Sequence, residues 1–248
     1  MKKTNKYLFA ILSTVTLGIS FSSCTKLDET VYSKIKDDNF YKNKREVMQA
    51  ALRPFTHMQA WLAPTGGNGF YYHSELSADQ VAWPQKGRHG YDGGDHIRQH
   101  YHTWTSNESR MRGAWELMWG GVGYVNNAIQ DIEKLDIAKI ADLTEDERTQ
   151  ILVQLKVMRA FHYIKIMDLW GNVPIVTKVA DPINPETRPR TEVFAFVQKE
   201  LEENVGKLPK TSASNIGQVS MAAGYAMLAE LYLNAEKWSG KAMNDECI

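Results

Sequence analysis

An all-α fold is predicted for this chain by three observations. Apolar residues recur every three or four positions through most of residues 111–233, the period of one helix face. Start and stop signals bracket those runs, among them Thr144 with Glu147 three residues on, and the Gly171-Asn172 pair. A short extended segment, Val173-Pro174-Ile175-Val176, interrupts them.

Taken in order, Asp37-Asp38-Asn39 offers an N-cap ahead of Phe40, Val47, Met48, Ala51, Leu52 and Phe55, which are spaced like one helix face. Pro54 is expected to end or kink that helix, because its ring displaces the carbonyl four residues back. Residues 64–109 read as a long irregular insertion. In it Gly66-Gly67-Asn68-Gly69, Gly87, Gly90 and Gly93-Gly94 are interleaved with Tyr71, Tyr72, Trp83, Tyr91 and Trp104. Loops of that length are functional or disordered, and the aromatic content argues against disorder. Trp115, Met118, Trp119, Val122, Val125, Ile129, Ile132 and Leu135 then define one long helix, in which Gly120-Gly121 and Gly123 allow close helix approach. Thr144 opens a helix that runs to Trp170 and is apolar almost all round. Thr191 opens another, presenting Val193, Phe194, Val197, Leu201 and Val205. The last carries Met221, Tyr225, Leu228, Leu231 and Tyr232 on one side, with Ala222, Ala226 and Ala229 as a small-residue face.

Tandem helices with alternating aromatic and alanine positions predict a tetratricopeptide-like helical repeat scaffold. Each pair in such a scaffold buries its face against a neighbour, and three or more repeats are normally needed. Two pairs precede Lys241–Ile248, where the chain stops without a closing cap, so it is expected to be a fragment of a longer protein.

The N-terminus carries an address. Lys2, Lys3 and Lys6 precede an apolar run from Tyr7 to Ile19, and small residues then lead to Phe21-Ser22-Ser23-Cys24. A basic start, a short apolar stretch and a small-residue cleavage site make a secretory signal over residues 1–23. The run is shorter than the about 20 residues a membrane span needs. Its ending on Cys24 predicts a bacterial lipoprotein, with Cys24 acylated and residues 24–36 serving as a tether. Two or more acyl chains anchor stably where one is marginal. Phe21 stands where an aliphatic residue is usual.

The full sequence carries 29 basic and 29 acidic residues; without the three lysines of the leader the net charge falls to about −3. No basic patch stands out, so nucleic acid is excluded as a partner. Of the two cysteines, Cys24 is committed to lipid and Cys247 lies at the C-terminus, which leaves no internal disulfide.

The chemistry-bearing motifs are sparse. His73, His89, His96, His100 and His102 concentrate in the insertion, and His96 and His100 stand four apart. No glutamate follows His96 as an H-E-x-x-H site requires, and no carboxylate or cysteine cluster completes a metal shell. Glu75 and Asp79 could form the paired carboxylates of a glycoside hydrolase, a role that depends on a separation that sequence cannot supply. Ser33-x-x-Lys36 matches a penicillin-binding motif by letters only, and no P-loop, G-x-S-x-G or dinucleotide fingerprint occurs. Nothing calls for a cofactor. The aromatics point further. Sugar rings stack their apolar faces on Trp and Tyr while their hydroxyls need polar partners, and Trp83, Tyr91 and Trp104 with Asp79 and Asp92 supply both. Trp115, Trp119 and Trp170 fall on helical periodicity and are assigned to the core; Lys156, Arg159 and Lys165 are assigned to solvated or inter-helix positions.

One ordered set of motifs carries a family resemblance. Gln154-Leu155-Lys156-Val157-Met158-Arg159-Ala160-Phe161-His162-Tyr163 continues to Leu169-Trp170-Gly171-Asn172-Val173-Pro174-Ile175-Val176. Trp115 with Asn126-Asn127-Ala128-Ile129, Arg190-Thr191-Glu192-Val193-Phe194 ahead of Leu208-Pro209, the alanine-rich 217–233 stretch and Asp38-Asn39-Phe40-Tyr41 accompany it. In this the chain resembles the SusD/RagB family across nearly all of residues 37–248. The resemblance implies a non-catalytic lipoprotein on the outer face of the outer membrane. Such a protein binds oligosaccharides or other nutrients and passes them to a TonB-dependent transporter of the SusC type. It also implies a chain about twice as long, and Pro54 departs from the pattern. Two other readings remain open: a surface-anchored glycoside hydrolase using Glu75 or Asp79, and a helical scaffold that binds only the transporter.

Overall fold

The computed structural model describes residues 40–63 and 69–248. The leader, Cys24, the tether, the Asp37–Asn39 cap and Gly66-Gly67-Asn68 lie outside the described residues. The first described helix, α1 (Lys44–Leu62), is capped by Asn43, whose side chain accepts the Glu46 N–H at 3.0 Å. It continues past Pro54 to Leu62, so the proline does not end it, one of the two outcomes the sequence predicts there. A proline inside a helix costs about 3 kcal/mol. Burial offsets it: Val47, Ala51, Pro54 and Trp61 line one face and are buried, and His57 Nε2 donates to the Leu117 carbonyl at 2.8 Å.

The insertion contains more regular structure than its composition predicts. Helix α2 (Phe70–Ser77) and helix α3 (Asp95–His100) lie within it, with a 3-10 turn at Asp92–Gly94. The irregular backbone is thus confined to the segments between and after them.

Helices α4 (Ser109–Glu133), α5 (Glu145–Trp170) and α6 (Arg190–Asn204) form the centre of the scaffold. Trp115 near the start of α4 meets Trp170 at the end of α5, with rings edge to face at 5.2 Å. At the other end Arg148 donates to the Leu135 carbonyl at 3.3 Å. The two helices therefore run antiparallel. Gly121 is required at their crossing, because a Cβ there would lie 2.3 Å from His162 Nε2. The capping box at Thr144 forms as predicted, and Lys44 Nζ joins Glu147 at 2.6 Å, tying the starts of α1 and α5 together. Met118, Val122, Val125, Ile132, Leu155, Ile164, Met167, Val197 and Leu201 make the shared core, each essentially fully buried.

After Gly171, strands β1 (Val173–Pro174) and β2 (Thr187–Arg188) pair antiparallel, Val173 opposite Arg188. Asn172 then does the work expected of Thr191. Its Oδ1 accepts the Arg190 N–H at 2.9 Å across the ribbon, at a helix start that has no side-chain cap of its own. Arg159 proves to be an inter-helix residue. It is buried, its guanidinium pairs with Glu200 on α6, and Nη1 donates to Asn126 Oδ1 at 2.9 Å. Tyr163 and Asn126 hold the Val176 carbonyl at 3.1 and 2.9 Å. One buried polar cluster thus fixes α4, α5, α6 and the ribbon together.

Helices α7 (Met221–Leu233) and α8 (Ala235–Ser239) pack on α6. Leu228, Leu231 and Tyr232 are buried as predicted, whereas Tyr225 turns to solvent beside Ala222, Ala226 and Leu233.

Candidate ligand-binding region

The insertion leaves the scaffold at Gly69, whose φ of +149° and a would-be Cβ 2.0 Å from the Trp61 carbonyl oxygen admit no other residue. From there the segment is held chiefly by its histidines and one arginine.

His96 is the centre of the first set. It is buried, and its Nε2 lies 2.9 Å from Asp92 Oδ2. A carboxylate only accepts, so Nε2 carries the proton and Nδ1 accepts from the Tyr72 hydroxyl. Burial, partly opposed by Arg110, pushes the Tyr72 phenol up to about 12, so it stays a donor throughout the physiological range. The Trp83 indole stacks on the His96 imidazole, with ring centres 4.7 Å apart and planes 14° apart. One face of Trp83 is thereby seated, while the residue as a whole stays 51% exposed. Tyr91, also exposed, follows at the turn into α3, and Asp92 faces Arg110 at 3.8 Å as well as His96.

Arg98 makes the second set. Its Nε and Nη2 each reach the Glu108 carboxylate at 2.6 Å, a two-pronged pair, and Nη1 donates to the Gly93 carbonyl at 2.8 Å. The hydrogen bonds from Arg98 hold the Glu108 carboxyl down at about 2. The pair joins α3 to the start of α4. The third set fastens α2. His73 is buried, with Nε2 donating to the Arg110 carbonyl at 3.3 Å and Gln99 contacting Nδ1 at the same distance. Its burial lowers its pKa. His100 Nδ1 and His102 Nε2 reach the Leu76 and Ser77 carbonyls at 3.3 and 2.7 Å. His96 and His100 therefore do not converge on one ion, and no group of three potential metal ligands occurs among the described residues.

Two concavities open in this region. One, of about 370 Å³, lies at the Lys86–His89 turn between Trp83, Pro84, Lys86 and His89. The other, of about 360 Å³, lies between Trp104 and Trp170, with His73, Gln99 and Ser77 along it and Asp168 at its edge. Both fall in the size range of small-ligand sites.

The five predicted ligand residues do not share one site. Trp83 and Asp92 meet on His96, and Tyr91 adjoins Asp92. Trp104 lines the second concavity, tilted against His102 at 5.2 Å. Asp79 is exposed just past the end of α2, so it does not share a helix face with Glu75. Three contributors are absent from the sequence-based set. His96 stands out in the sequence only through its spacing to His100, Asp168 carries no motif, and Trp170 sits on the core periodicity of α5 yet is only partly buried and lines the cavity.

The fold has known counterparts. Residues 27–233 match the SusD-like family model described as starch-binding and associating with the outer membrane. A SusD-like protein of Bacteroides ovatus is 23% identical over 95% of this chain and 41% of its own length. A laminarin-binding SusD-like protein superposes with a TM-score of 0.66 at 22% identity, covering 84% of this chain and 42% of that one. Surface glycan-binding protein A of Bacteroides thetaiotaomicron, in complex with laminarihexaose, superposes with a TM-score of 0.61 at 20% identity, covering 79% and 40%. The chain thus spans about two fifths of the length of these relatives. The match covers most of the chain, and the all-α scaffold is the one these relatives share: this protein belongs to the SusD-like family.

Proposed function

We propose that this protein binds glycans at the outer membrane through the aromatic surface of the insertion and hands them to a TonB-dependent transporter of the SusC type. The observation that carries the reading is Trp83. Its ring is seated on one face by His96, which is itself fixed by Tyr72 and Asp92, and the residue remains half exposed to solvent. A pre-set aromatic face loses little entropy when a sugar ring stacks on it, which favours binding. Tyr91, next to Asp92, and Trp104, on the second concavity, are also exposed, and Asp79 and Asp92 offer carboxylates for hydroxyl groups. Anchoring is by acyl chains on Cys24, with residues 24–36 as the tether between the leader and the helical domain from residue 37. The relatives' printed names, laminarin-binding and glycan-binding, support the choice of ligand class.

The test is a titration of the protein and its Trp83→Ala variant with laminari- and malto-oligosaccharides. Binding that weakens about tenfold in the variant supports the reading, a loss of about 1.4 kcal/mol. Equal affinity removes Trp83 from the site, and release of reducing sugar during the incubation replaces a carrier with a hydrolase.

A further inference from the structure

The cavity between Trp104 and Trp170 differs in character from the Trp83 surface. Asp168 is the one carboxylate among the described residues lining it. Asp168 makes no hydrogen bond or ion pair with any described residue. Lys165, one turn back on α5, is occupied by Glu230 and by the faces of Phe70 and Phe161. Arg190 acts on Asp168 only at longer range than an ion pair.

The helix adds to this charge. Asp168 lies in the last turn of the 26-residue α5, where the aligned peptide dipoles place roughly half a negative charge. The last turn of α5 holds no basic residue of its own; the Arg190 guanidinium packs at Gly171 just past the helix end, without pairing with Asp168. Asp168 is exposed at the surface, and desolvation by the groups packed around it raises its pKa above the ordinary carboxylate value, partly opposed by Lys165 and Arg190. Two indoles flank the space, and aromatic faces attract cations. The cavity thus has two indoles and one carboxylate that pairs directly with no described residue, Lys165 and Arg190 acting on it only at longer range.

We infer that this cavity binds the ammonium group of a ring-sized amine, of which an amino sugar is the form that also offers an apolar face to Trp104 and Trp170. The inference rests on reading Trp104 as a stacking residue, but not on the Trp83 surface. A neutral hexose would gain the stacking alone. The amine gains a charge-assisted hydrogen bond to Asp168 as well, which corresponds to a preference of about tenfold or more.

The experiment titrates the protein with glucosamine, N-acetylglucosamine and glucose, following indole fluorescence, in a buffer where the amine is protonated. Glucosamine is expected to bind at least tenfold more tightly than the other two, and Asp168→Asn is expected to erase that difference. Comparable binding of all three, absence of glucosamine binding, or a preference that survives in Asp168→Asn would each overturn the inference. The comparison of the three sugars on the unaltered protein decides the matter even if the variant does not fold. Laminari-oligosaccharides in the same series separate the two proposals, since their binding in the absence of a glucosamine preference would sink only this one.

Discussion

Helices α4, α5 and α6 meet through Met118, Val122, Leu155, Ile164, Met167 and Val197, all closed to solvent. The segment 69–108 buries few such residues and is joined instead by the Tyr72–His96–Asp92 chain, the Arg98–Glu108 pair and the carbonyl bonds of His73, His100 and His102. The scaffold resists opening because its surface dislikes water. The insertion holds its shape by directional bonds, and these fix rings such as Trp83 in place without hiding them. A core of the first kind could not present an open aromatic face, because burying the ring is what would stabilise it.

The contrast can be broken most severely at the one buried ion pair of the scaffold. Arg159→Ala leaves Glu200 charged and uncompensated, and unfolding in urea is expected to show a loss of about 3–5 kcal/mol. Next in size is a pH effect from His162. Burial against Trp61 lowers its pKa to about 4, while the unfolded chain titrates near 6.5. The unfolded state takes the proton first, so stability present above pH 6.5 is lost as pH falls from 6.5 towards 4, on the order of 3 kcal/mol in total. The pH slope of thermal unfolding across that window is expected to flatten in His162→Leu; an unchanged slope would assign the effect elsewhere.

Within the insertion the effects are smaller and local. His96→Ala removes the seat of Trp83 and the partners of Tyr72 and Asp92, about 1–3 kcal/mol of local stability. Amide exchange over 69–108 is expected to speed up about tenfold or more, with global unfolding little changed. Smallest is Glu108→Gln, which is expected to cost about 1 kcal/mol, because Arg98 keeps Asp95 and remains partly in water. In the unaltered protein the same link is present above pH 4.5. It is lost as pH falls from 4.5 through about 2, the value at which Glu108 is held, and limited proteolysis across that range would register it.

How much of this was legible in the sequence follows the same division. The scaffold reads directly, since a 3.6-residue period and the Thr144 capping box are local signals and the core obeys them. Pro54 misleads, because the energy that carries α1 past it comes from Trp61 and its surroundings, which are distant in sequence. Asn172 capping α6 from across the ribbon is hidden for the same reason. In the insertion the aromatics announce a surface, but the polar bonds that aim them link positions up to 37 residues apart, as between His73 and Arg110. Glycine and histidine content therefore reads as irregular where α2 and α3 form. Asp168 and Trp170 sit inside a helix whose pattern is apolar, and only the ending of that helix at Gly171, beside Trp104, turns them into the edge of a cavity.

The most direct measurement is amide hydrogen exchange on the protein with and without laminari-oligosaccharide. Added protection confined to residues 69–108, with α4, α5 and α6 unchanged, is the result expected of a rigid scaffold presenting a bonded aromatic surface. Protection appearing on α4–α6 with residues 69–108 unaffected would contradict it.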